Sequence, residues 1–105
     1  MNQNLNAKGS STYTWTIPMN SIKKSGSFYA AKGSKVAISV NPDPVDADTG
    51  IGLDQPNGKL RGVSDTGTYG YTFTINESGY YKVYVRNEDG KQINAVAVFR
   101  KESYF

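Results

Sequence analysis

Thr12-Tyr13-Thr14-Trp15-Thr16-Ile17 decides the fold class. In an extended chain successive side chains point to opposite faces, so Tyr13, Trp15 and Ile17 share one side and three threonines the other. Aromatic and β-branched residues at this period favour a half-buried strand over a helix. Pro18 ends the strand or marks an edge. The same signal recurs at Gly26 to Lys32, Lys35 to Val40, Val45 to Leu53, Lys59 to Val63, Tyr69 to Ile75, Tyr80 to Asn87 and Lys91 to Arg100. Between these runs lie Gly33-Ser34, Asn41-Pro42-Asp43-Pro44, Gln55-Pro56-Asn57-Gly58, Asn76-Glu77-Ser78-Gly79 and Glu88-Asp89-Gly90. All are turn or breaker clusters. No segment sustains a helical period. Eight short strands at fairly regular spacing predict an all-β fold, a jelly-roll-like antiparallel β-sandwich. Its expected core is Tyr13, Trp15, Ile17, Phe28, Val36, Ile38, Val40, Leu53, Tyr71, Phe73, Ile75, Tyr81, Val83 and Val85.

Composition agrees with this reading. The 105 residues suffice for one domain. The hydrophobic fraction of 37% lies below the roughly 45–50% usual for globular chains. Aromatics nevertheless reach 12%, eight of them tyrosine, which a disordered chain lacks. Cysteine and histidine are both absent. Their absence removes disulfides, thiolate metal sites, cysteine nucleophiles, the usual neutral-pH base and any Ser-His triad. The acids show no converging spacing, and there is no G-x-S-x-G elbow. Neither an enzyme nor a cofactor is expected.

Residues 1–11 are polar and end in Lys8-Gly9-Ser10-Ser11, and they read as an N-terminal extended arm outside a domain spanning 12–105. If that arm is extended, Gln3, Leu5 and Ala7 share one face, the requirement for strand addition to a sheet edge. An arm inserted into the next copy makes a heterologous contact, and such contacts build filaments when they do not close. Met1 to Lys8 contains no apolar run, so no signal peptide is visible, and no stretch approaches the ~20 apolar residues of a membrane span. Either a leader has been removed or the chain is used without that export route.

Net charge is +3, unevenly placed. Lys8, Lys23, Lys24, Lys32 and Lys35 precede the first acid, Asp43. The cations are scattered, with no basic helix or arginine cluster, so nucleic acid is not an expected partner. The charge asymmetry fits either head-to-tail steering between copies or an ordinary solvated surface.

Two further groups are candidates. Asp43, Asp46, Asp48 and Asp54 form the only acid cluster, and Asp46-Ala47-Asp48-Thr49-Gly50 faintly resembles part of a calcium loop. The remaining oxygen ligands of such a loop are missing, and aspartates beside Pro and Gly are more often turn formers. Asp46, Asp48 and Asp54 are therefore only a weak calcium candidate. Tyr80, Lys82, Tyr84 and Arg86 alternate with Tyr81, Val83 and Val85, which places two tyrosines between two cations on the outward face. Such a face stacks on sugar rings, packs on a partner protein, or is simply a solvated sheet surface with cross-strand aromatic pairs.

Tyr71-Thr72-Phe73-Thr74-Ile75-Asn76-Glu77-Ser78-Gly79-Tyr80-Tyr81-Lys82-Val83-Tyr84-Val85-Arg86-Asn87 resembles the penultimate hairpin of small surface or secreted β-sandwich modules of Gram-positive bacteria. Chain length, eight strands, an N-terminal arm and no visible signal also resemble the endospore appendage subunits. That resemblance implies a single jelly-roll domain at the cell or spore surface, joined to other copies of itself through an N-terminal connector into a pilus-like filament. The best-known members crosslink through connector cysteines. This arm has none, so the assembly implied here is non-covalent. The other reading is a secreted module that recognises glycan or protein through the Tyr80-to-Arg86 face.

Overall fold

The computed structural model describes residues 10–102 and contains nine strands and no helix among them. These are β1 (Ser10–Ile17), β2 (Ile22–Lys24), β3 (Phe28–Ala30), β4 (Lys35–Asp43), β5 (Asp48–Asp54), β6 (Leu60–Thr66), β7 (Tyr69–Thr74), β8 (Gly79–Asn87) and β9 (Ile93–Glu102). One sheet has the order β1-β9-β4-β7. The other runs β2-β8-β5-β6, with β3 also on β8. All pairings are antiparallel. With β2 and β3 counted as pieces of one strand, every connection except the β5–β6 turn crosses between the sheets. That is jelly-roll connectivity.

The ninth strand corrects the expected count. Within the run expected at 26–32 only Phe28–Ala30 is strand, and a second three-residue strand, Ile22–Lys24, lies on the other side of Ser25, where none was expected. At that point a side chain enters the ladder. Val83 N donates to Ser25 Oγ at 2.9 Å, and Ser25 N donates to Val83 O at 2.8 Å. The hydroxyl satisfies a buried N–H that a regular strand would have met with a carbonyl. Asn41-Pro42-Asp43 also departs from expectation, because β4 continues through it to Asp43. Pairing with β7 stops at Val40, so Pro42 lies where the ladder is one-sided and its missing N–H is tolerated. The turns at 76–78 and 88–92 are arches between sheets, not hairpins. Gln55-Pro56-Asn57-Gly58 does close a hairpin, pairing Asp54 with Leu60.

Inward residues from both sheets fill one core that includes Ile17, Val36, Ile38, Val40, Ile51, Leu53, Phe73, Val83 and Val85. On β9 the small residues face inward. Ala95 stands opposite Trp15 and Ala97 opposite Tyr13, so small side chains make room for large ones across the ladder. Tyr71 is a correction to the expected core. It shares the inward side with Phe73, 4.7 Å from that ring, but β7 is an edge strand and leaves it 49% exposed.

Candidate functional site

The outer side of the β2-β8-β5-β6 sheet carries the expected partner face, and the structure divides it. Tyr80 is 66% exposed, Lys82 half-buried and Arg86 exposed. Tyr84 is only 6% exposed, which corrects its expected place at the surface. The backbone row through it runs Lys24, Tyr84, Gly52, Gly62. The phenol lies across both glycines. A Cβ on Gly52 would stand 2.8 Å from a Tyr84 ring carbon, and one on Gly62 would meet its hydroxyl. Two paired glycines, one on β5 and one on β6, make the bed for the ring, so Tyr84 belongs to the structure of the sheet. One row along, Glu88 lies over Gly50 and accepts from Ser64 Oγ at 2.9 Å.

Burial pushes the Tyr84 hydroxyl above its ordinary value near 10, with Arg86 opposing and Glu88 adding to the rise. Tyr69 and Tyr81 are raised by burial as well. Tyr69 O–H donates to Thr49 O at 2.7 Å. The folded state therefore keeps these protons at a pH where the unfolded chain has released them. Stability linked to the three phenols is complete below about pH 10 and is lost as pH rises through their folded values. Thermal denaturation between pH 8 and 11 should show Tm falling above about pH 10, and Tyr84→Phe should make that fall shallower. An unchanged slope in the variant would show that Tyr84 does not contribute.

The aspartates do not converge. Asp48 and Asp54 stand at opposite ends of β5, roughly 20 Å apart by strand rise. Asp48 Oδ1 accepts from Thr66 Oγ1, and Asp54 Oδ2 accepts from Lys24 Nζ at 3.0 Å. Asp43 ends β4 and Asp46 lies in the loop that follows. Among the described residues no group of three or more acids is placed to hold a metal.

Gln3, Leu5 and Ala7 lie outside the described residues. Ser10 and Ser11, expected at the end of the arm, are the first two residues of β1 and pair with Arg100 and Phe99. The sheet edges, which the strand pattern could not assign, are informative. β7 and β1 bound one sheet; β6 and the short β2 and β3 bound the other. β7 reads Tyr-Gly-Tyr-Thr-Phe-Thr, without charge or proline. β6 carries Arg61 and Asp65, and β2 carries two lysines. Charges on an edge strand discourage pairing with another chain. Arg61 lies over the Phe73 ring at 5.5 Å and donates to Thr74 O at 2.8 Å, which closes the far end of β7.

No known protein family matches the chain, and no curated protein matches it in sequence. Solved structures do share its fold. A periplasmic inhibitor of g-type lysozyme from Aeromonas hydrophila superposes with a TM-score of 0.63 at 11% identity, over 92% of this chain and 90% of that one. A subunit of the Bacillus endospore appendages, described as disulfide-linked pili, gives 0.58 at 8% identity, over 93% and 88%. A mitogen from Yersinia pseudotuberculosis gives 0.57 at 12%, over 92% and 87%. At these identities the likeness concerns the fold alone.

Proposed function

We propose that this chain is a non-enzymatic structural subunit of a bacterial surface or spore filament, which assembles when the segment preceding Ser10 of one copy adds as a strand to the free edge of β7 of the next. The observation that carries this reading is the β7 edge, six residues with neither charge nor proline and no neighbouring strand on one side among the described residues. Main-chain hydrogen bonds supply affinity in such an addition, and alternate side chains supply register. Gln3, Leu5 and Ala7 alternate in the arm. Leu5 is the one large apolar side chain of those three, and the half-exposed Tyr71 beside Phe73 offers it an apolar lip. The contact uses different surfaces on the two copies, so it propagates. The likeness to an endospore appendage subunit supports the same reading, with a non-covalent joint where that protein's pili are disulfide-linked. The expected location is extracellular, at the cell or spore surface.

Tyr71→Lys tests the edge. An inward-pointing charge on an edge strand opposes pairing with another chain, and a half-exposed position lets lysine reach water without unfolding the domain. Sedimentation velocity should show large species for the parent chain and a folded monomer for the variant. Equal assembly of both would remove β7 as the accepting edge.

A further inference from the structure

A groove of about 570 Å³ opens on the outer side of the β2-β8-β5-β6 sheet, between the β5–β6 turn and the start of β8. Pro56 forms one wall. Its ring packs against Gly79, with Cγ 2.7 Å from where a Cβ on that residue would stand. Tyr80 forms the other wall and is the most exposed aromatic ring among the described residues. The Tyr29 ring meets it edge to face at 5.5 Å and 70°, and Tyr29 pairs with Tyr80 across the β3–β8 ladder. Each ring limits the movement of the other, so the platform is ordered before any ligand arrives.

The polar groups around this platform are of mixed sign. Asp54 contributes a carboxylate whose Oδ2 is already held by Lys24 at 3.0 Å. Gln55 donates through Nε2 to Lys59 O, and the orientation leaves its amide oxygen as an acceptor. The ammonium of Lys82, whose backbone is in register with Asp54, has no hydrogen-bond or ion-pair partner among the described residues and is a free donor. Ser27 adds a hydroxyl. A concave site with one aromatic face and several convergent donors and acceptors selects a ligand that is apolar on its flat side and hydroxylated at its rim. A pyranose with equatorial substituents has that shape, since its axial C–H bonds form the flat side and its hydroxyls the rim.

We infer that the groove between Pro56 and Tyr80 binds a β-linked, equatorially substituted pyranoside chain, stacked on Tyr80 and hydrogen-bonded by Asp54, Gln55 and Lys82. The inference does not depend on assembly. Saturation-transfer-difference NMR reads ligand contact in monomers and in large particles alike. The full chain would be mixed in turn with cellohexaose, xylohexaose and chitohexaose at millimolar concentration. At least one should receive saturation, strongest on the protons of one ring face. Tyr80→Ala should weaken that binding roughly tenfold or more. Val96→Ala, which trims an exposed apolar side chain on the other sheet, should leave it unchanged. Absence of transfer to all three sugars, or transfer that survives Tyr80→Ala in a folded domain, would overturn the assignment.

Discussion

Gly52→Ala should abolish the folded domain or cost about 3 kcal/mol or more of its stability. The added methyl would meet the Arg61 carbonyl oxygen, would lie 2.6 Å from Gly62 Cα and 2.8 Å from the Tyr84 ring. The first two are backbone atoms of β6, the strand paired with β5, so relief requires the ladder to separate. Shortening Tyr84 cannot rescue the variant, because the backbone collisions remain. Gly26→Ala is the control, with nothing within 4 Å of the new atom and an expected change within about 0.5 kcal/mol. Chemical denaturation of the two variants separates a specific close approach from a general sensitivity of glycines. The same geometry makes Tyr84→Ala a structural substitution. That substitution exposes the glycine bed and leaves a cavity costing roughly 3–5 kcal/mol, so loss of a ligand in that variant would report unfolding.

Asn87→Ala carries the second large expected effect. Asn87 is 1% exposed and gathers three chain segments. Its Nδ2 donates to Ile17 O at 2.9 Å, Pro18 O at 3.2 Å and Lys91 O at 2.7 Å, while Oδ1 accepts from Asp89 N at 2.8 Å. Its own N donates to Ser21 O at 2.9 Å. These bonds tie the end of β1, the approach to β2 and the arch from β8 to β9. Truncation leaves the buried Ile17 carbonyl unpaired, at roughly 1–3 kcal/mol, and removes three part-buried bonds at about 1 kcal/mol each, so the loss should be about 3 kcal/mol or more. For a domain of this size that lowers Tm by at least about 10 °C. Asn87→Asp keeps the volume and turns the donor into an acceptor facing carbonyls, so it should be no milder. A near-native Tm in Asn87→Asp would show that packing, not hydrogen bonding, is what the residue supplies.

These two residues show where the sequence was legible and where it was not. Period-two alternation in Thr12 to Ile17 and in Lys35 to Val40 is a local property, and both runs lie in strands with the expected faces inward. Alternation cannot say whether neighbouring strands share a sheet, because both kinds of connection present an apolar face to the same core. The clusters Asn76-Glu77-Ser78-Gly79 and Glu88-Asp89-Gly90 therefore announce turns without showing that both are arches. Tyr84 departs from its expected outward place for a related reason. Its cover comes from Gly52 and Gly62, which are distant in sequence and reach it only through register. On β9 the larger Val96 and Val98 face outward, while Ala95 and Ala97 face Trp15 and Tyr13, so side-chain size alone points the wrong way. Ser25 gives no sign in the sequence that its hydroxyl replaces a backbone partner.

The candidate site was legible in part. Tyr80, Lys82 and Arg86 are on the outer side of β8 as alternation requires. Tyr29 and Pro56, which give Tyr80 its neighbours, come from other strands and turns and had no signal of their own. The β7 edge was likewise invisible as an edge, since its uncharged pattern acquires meaning only when the sheet order places it last.

Negative-stain electron microscopy of the full chain beside a chain lacking residues 2–9 tests the central claim most directly. The deletion stops short of β1, which begins at Ser10, so the sandwich keeps all its described strands. Filaments from the full chain and single domains from the shortened one are the predicted result. Single domains from both, or filaments from both, would contradict assembly through the arm.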